Sequence, residues 1–250
     1  IFYNGDVTMP VIQYGTTTIN YQVVRSNRKT VGLEVSIEDG VKIRAPKKLS
    51  QSEIEAIVEK KAEWILKKQD KLSDVKPAPK PKEFLSGEKL PYLGRRYRIK
   101  VQETDNVEQV KVKLYQGKFW LMISKSVAED DDRRDMIREE VIQWYRSHAD
   151  TKIKERVKKY QEQIGEEPNA IKVKKQKKRW GSCSSKRNLN FNWKLIMAPM
   201  SVIDYLVVHE LAHLKYPNHS KEFWQLVEAV IPNYEEKQEW LRINGRRLTI

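Results

Sequence analysis

Tyr205-Leu206-Val207-Val208-His209-Glu210-Leu211-Ala212-His213-Leu214 is an apolar run broken by two imidazoles and one carboxylate. His209 and His213 stand four positions apart. On an α-helix that is about 40° around the axis, so both rings leave one face at a spacing that a single zinc ion can bridge. Glu210 lies too far round the helix to complete the pair. It is expected instead to take a proton from a metal-bound water. Ile203, Val207, Leu211 and Leu214 occupy the opposite face, so the spacing predicts a helix over 202–215 that packs into a core and turns its histidines to a cleft. Ser201 and Asp204 read as its capping box.

The rival reading is a chance match in an ordinary helix. Against it, the chain has four histidines and three of them fall within eleven residues. Polar side chains on an otherwise apolar helix are also costly unless a metal or a hydrogen-bond network uses them. A third ligand follows if the helix stops soon after His213. Tyr216-Pro217-Asn218 supplies that stop, because the residue before proline avoids the helical region and Asn tolerates positive φ. Ser220 then caps the next helix and leaves His219 in the turn. The alternative third ligand is a carboxylate, Glu222, Glu228, Glu235 or Glu236, although each also suits a solvated helix face. Three protein ligands would leave one position open, the mark of a catalytic zinc site.

Upstream, 171–174 and 189–193 read as strands flanking Arg179-Trp180-Gly181-Ser182-Cys183-Ser184. Leu189, Asn190, Phe191, Asn192 and Trp193 form the candidate sheet edge on which an extended substrate would add as a strand. Their other reading is an interior strand under the histidine helix. Tyr205, Tyr216 and Tyr234 are candidates for oxyanion stabilisation. Cys183 reads as a small buried hydrophobe, or as a thiolate approaching the metal. His148 reads as a structural histidine. Between 171 and 187 there are eight Lys or Arg and no acid, with Trp180 among them. This segment is a candidate nucleic-acid stripe, a selector of acidic peptides or a solvated face.

The first half of the chain is strand-rich. Ile19, Tyr21 and Val23, then Val31, Leu33, Val35 and Ile37, then Val41, Ile43 and Ala45 alternate at period two, with Asp39-Gly40 as a hairpin turn. Ser50 and Glu53 form a capping box ahead of Ile54, Val58, Ala62 and Ile65 at helical spacing. Pro77, Pro79 and Pro81 interleave with Lys, a composition for an extended connector. The order of elements then repeats: strands near Tyr97, Val110 and Phe119, a turn at Gln116-Gly117, and a long helix from the acidic run 129–132 to Gly165. The expected organisation is 1–72 as strands plus helix, 73–84 as linker and 85–250 as the main region, with its core at 171–250.

Composition narrows the setting. With 39% hydrophobic residues and seven Trp, the chain has enough apolar material to fold. No apolar run reaches the roughly 20 residues of a membrane span, and no signal-like segment opens the sequence, so it reads as soluble and cytoplasmic. A single cysteine excludes an intramolecular disulfide framework and a Cys-rich zinc site. A formal charge of +14 predicts attraction to polyanions or acidic partners without naming one.

The stretch 208–214 together with Asn218-His219-Ser220, Phe223-Trp224 and 179–184 resembles the YgjP-like metallopeptidases, relatives of the SprT and WLM groups. Tyr92-Leu93-Gly94 and the first strand block resemble that family too, so the likeness covers most of the chain. It implies an α+β protein with a strand-rich N-terminal half and a zincin-like C-terminal metallopeptidase domain, its His-Glu-x-x-His helix packed on a sheet. It also implies Zn2+ held by His209, His213 and His219, with Glu210 as catalytic acid and base on protein or peptide substrates. Tyr216 stands where metzincins carry glycine, and no Met follows Met200, so a Met-turn cannot be built. The competing functional readings are a nucleic-acid-associated protein, including a DNA-recruited protease, and a metal-dependent hydrolase of non-peptide substrates.

Overall fold

Period-two alternation builds the first sheet of the computed structural model, which describes residues 9–250. Its strands are β1 (Val11–Tyr14), β2 (Thr17–Ser26), β3 (Gly32–Ser36) and β4 (Gly40–Pro46). They lie in the order β1-β2-β4-β3, with β2 and β4 parallel and the other pairs antiparallel. Ile19, Tyr21, Val41, Ile43 and Ala45 form the inner face. They are buried with Ile54 and Val58 of α1 (Gln51–Lys60) and with Ala62 and Ile65 of α2 (Ala62–Ser73). The Ser50–Glu53 capping box starts α1, and the expected single helix is broken at Lys61, whose φ of −105° and ψ of 6° leave the helical region. These elements belong to one compact unit, which ends at Val75; a second spans Lys76–Ile250.

In the second unit the same arrangement recurs. The strands β5 (Lys89–Tyr92), β6 (Arg95–Glu103), β7 (Val110–Tyr115) and β8 (Lys118–Ile123) lie in the order β5-β6-β8-β7, again with only the central pair parallel. A short α3 (Lys125–Ala128) leads to α4 (Arg133–Ile164), which Gly165 ends at φ 74°. Ile99, Phe119, Leu121 and Ile123 join Ile137, Val141 and Tyr145 of α4 in one core. Phe84, the last residue of the Pro- and Lys-rich stretch, is also fully buried there.

A third sheet carries β9 (Ala170–Lys174), β10 (Gly181–Cys183) and β11 (Asn188–Asn192) in the order β10-β11-β9. This order corrects the expected substrate edge. β11 pairs antiparallel with β10 on one side and parallel with β9 on the other, so its backbone groups are already used. Leu189, Phe191 and Trp193 are buried, and Trp193 lies past the strand in a 3-10 turn, Trp193–Met197. Strand order depends on long-range pairing, which local periodicity does not encode.

The chain then enters α5 (Met200–Ala212), α6 (Lys221–Val230) and α7 (Tyr234–Asn244). Pro199, not Ser201, precedes the first turn of α5, and no side-chain cap bond forms there. Asp204 is drawn away from capping by Arg156 of α4, whose Nε and Nη2 donate to its two oxygens at 2.6 and 2.9 Å. The protein is thus α+β, strand-rich in its N-terminal half and helical toward its C-terminus. Among the described residues no helix is long and apolar enough to cross a membrane.

Candidate metal centre

Most of α5 is buried: Ile203, Val207 and Leu211 are fully enclosed on the core side, as the spacing predicts, whereas Leu214, expected on that face, lies past the helix end, half-buried, and lines the cavity over the histidines. The helix ends at Ala212 with His213 as its C-cap, a little earlier than expected. Hydrogen-bonded turns continue to Tyr216, and Asn218 needs no positive φ. Ser220 then caps α6 by accepting from the Phe223 backbone N–H at 3.4 Å. His219 therefore sits in a short connection whose two ends are fixed by helices.

That geometry brings three imidazoles together. One ligand atom from each of His209, His213 and His219 lies within 4.8 Å of the others. His209 Nε2 and His219 Nε2 are 3.1 Å apart, close to the roughly 3.3 Å that separates two tetrahedral ligands at about 2.0–2.1 Å from zinc. His213 Nδ1 lies 3.1 Å from the Tyr216 carbonyl. A carbonyl only accepts, so Nδ1 carries the proton and Nε2 keeps its lone pair for an ion. Phe223 and Trp224 of α6 hold the rings from the side. The Phe223 centroid is 5.0 Å from His209 and 4.6 Å from His213, and Trp224 stacks on His219 at 5.3 Å.

Electrostatics favour ligating forms. Burial, reinforced by His213 and His219, lowers the His209 pKa to about 3, and burial also lowers that of His213. Both are therefore neutral imidazoles, the form that binds metal. Glu210 is 4% exposed, and burial lifts its pKa to about 8 against the opposing pull of Arg179. Its Oε2 and His209 Nδ1 are buried with no hydrogen-bond partner in the protein, a costly condition for polar atoms unless another group supplies the missing interactions. A donor set of three converging imidazoles beside a carboxyl group with an unpartnered oxygen fits a borderline-soft divalent ion such as zinc.

Gly181 of β10 makes the room for that carboxylate. A Cβ at this position would fall on Glu210 Oε1 and lie 2.7 Å from its Cγ. The sequence shows Gly181 only as part of a motif; its contact with Glu210 comes from the fold. The packing of Phe223 and Trp224 and the anchoring Tyr216 carbonyl were likewise missed, though aromatics at the start of α6 could have suggested the first.

A cavity of about 800 Å³ opens over this cluster, walled by α5, by His219 and by the segment from Arg179 through β10 to Arg187. Cys183 lines it with its Sγ 3.6 Å from the Ser184 carbonyl and is not part of the converging donor set. Of the downstream carboxylates, none joins that set. Tyr205, Tyr216 and Tyr234 do not line the cavity; Tyr234 stacks on Trp224 at 4.9 Å. His148 stands apart, stacked on Trp144 at 3.7 Å.

The family described as YgjP-like, metallopeptidase domain, matches residues 29–244. Among solved structures, the chain is similar to the metallopeptidase zymogen of Pyrococcus abyssi abylysin, with 22% identity, a TM-score of 0.34 and coverage of 39% of this chain and 99% of that one. It is also similar to the metallopeptidase zymogen of Methanocaldococcus jannaschii jannalysin, with 24% identity, a TM-score of 0.33 and coverage of 38% and 95%. No curated protein matches the chain.

Proposed function

Since the chain belongs to the YgjP-like metallopeptidase family, and is thus a peptidase acting on proteins or peptides, we propose that His209, His213 and His219 hold one zinc ion and that Glu210 is the acid and base of hydrolysis. The observation that carries this reading is the convergence of three ring donors beside a buried carboxylate whose Oε2 has no partner. When bound, zinc supplies Lewis acidity to the scissile carbonyl and makes water easier to ionise. Glu210 takes the proton of the attacking water on its carboxylate and passes it to the leaving amine. Its burial suits it to hold that proton between the two transfers. The Tyr216 carbonyl keeps His213 in its ligating tautomer, and the Phe223 and Trp224 rings restrict the imidazoles to the converging orientation.

The substrate edge belongs to β10 rather than β11 in this reading. β10 is the outer strand of its sheet, and residues 181–183 line the same cavity as the imidazoles. A peptide adding there would be held through backbone hydrogen bonds, whatever its side chains. We take 85–250 as the metallopeptidase region, zincin-like with its catalytic core in 171–250, and 1–72 and 73–84 as an N-terminal block and its linker. A cytoplasmic setting agrees with the single free cysteine.

Digestion of a peptide library by the purified full chain, with parallel metal analysis, tests the proposal. Cleavage is expected to stop with chelator and return with zinc. Glu210→Gln is expected to keep zinc and lose cleavage, whereas His213→Ala loses both. Undiminished cleavage by Glu210→Gln refutes the assignment.

A further inference from the structure

The outer face of the sheet β5-β6-β8-β7 has an unusual register. One row across its four strands reads Lys89, Arg98, Lys118 and Tyr115, each directly opposite the next. The next row reads Lys100, Trp120 and Lys113, and a third reads Gln102, Met122 and Lys111. Alternation sets this face apart from the core: Phe119, Leu121 and Ile123 are buried, whereas Trp120 and Met122 point the other way and join no core cluster. None of these cations forms an ion pair among the described residues, and no acid occupies an outward position in the three rows. Like charges directly opposite each other oppose pairing, so the face costs stability.

The first sheet is the internal control. It has the same strand order and the same parallel central pair. The row matching Lys100-Trp120-Lys113 there is Gln22-Lys42-Glu34, and Glu34 also accepts from Arg44 Nε at 2.8 Å. The topology therefore folds with balanced charge, and the cationic excess of the second sheet is not a requirement of the architecture.

We propose that this sheet face binds single-stranded nucleic acid, independently of the peptidase reading. Flanking lysines would track the phosphates. Trp120, with the Lys100 ammonium 4.6 Å from its ring centroid, and Tyr115, 60% exposed, would offer faces to bases. A four-stranded sheet presenting aromatics among cations suits unstacked bases. A duplex keeps its base faces covered and would engage only the charges.

Binding of the full chain to labelled oligothymidylate and oligouridylate, measured by fluorescence anisotropy across a salt series, tests this. Trp120→Ala is expected to weaken binding roughly ten-fold or more. Lys100→Gln with Lys113→Gln is expected to reduce the slope of log affinity against log salt by about 1.4, since each phosphate neutralised on a single strand accounts for about 0.7. Lys172→Gln with Lys174→Gln, in the other basic segment, is expected to leave both unchanged. Loss of binding in the 172/174 variant with none in the sheet variants overturns the proposal, as does equal affinity for duplex DNA or stronger binding to phosphatidylglycerol vesicles. Should Trp120→Ala fold poorly, the double glutamine variant alone decides, because its substitutions are at exposed positions.

Discussion

Two carboxylates six positions apart on α5 are treated in opposite ways by the fold. Asp204 is 13% exposed and receives two hydrogen bonds from Arg156, a forked pair that satisfies both of its oxygens. Glu210 is more deeply buried, and its Oε2 is left without a partner. The paired charge of Asp204 ties α5 to α4. Glu210 instead lies beside three converging imidazoles with one oxygen still free to bond. The comparison separates residues that maintain the helix from residues that use it.

Isosteric amides at the two positions break it most sharply. Glu210→Gln is expected to lower peptide hydrolysis by roughly 10²–10⁴-fold, with an unchanged midpoint in urea, since no native partner is lost. Asp204→Asn should do the reverse: a destabilisation of about 1.5 kcal/mol, from a half-buried guanidinium whose charge-assisted hydrogen bonds are weakened, with near-normal turnover per folded molecule. If the Asp204 variant proves catalytically dead while stably folded, the division of roles is wrong. Gly181→Ala sharpens the comparison from the opposite strand. Its added methyl must displace Glu210 rather than any ligand, so hydrolysis should fall by on the order of 10²-fold while zinc content, read by atomic absorption, stays at the wild-type value. The smallest effect is expected at the cap of the neighbouring helix. Ser220→Ala should cost about 1 kcal/mol, seen as a lower urea midpoint with hydrolysis retained.

Much of this was legible in residues whose signal is local. Period-two alternation marked Ile19 and Tyr21 of β2 and Phe119 and Leu121 of β8, and the Ser50–Glu53 box marked the start of α1. The i, i+4 spacing of His209 and His213 and the proline after Tyr216 were enough to anticipate rings meeting near one point. What was not legible depends on partners distant in the chain. β1 and β5 have four residues each and β10 has three, too few to show a period. The expected Ser201–Asp204 cap is absent because Arg156, 48 residues away, claims the aspartate. Edge and interior readings of β11 stay open in the sequence because its own residues say nothing of β9 and β10 on either side. The void that Gly181 leaves for Glu210 is a property of two elements, and only their packing reveals it.

X-ray absorption at the zinc edge of the loaded full chain tests the central claim most directly. The expected spectrum has a first shell of three imidazole nitrogens and one oxygen at about 2.0–2.1 Å, with no sulfur at about 2.3 Å, and loses one imidazole contribution in His219→Ala. A spectrum showing Cys183 sulfur, or only two imidazoles that persist unchanged in that variant, would contradict it.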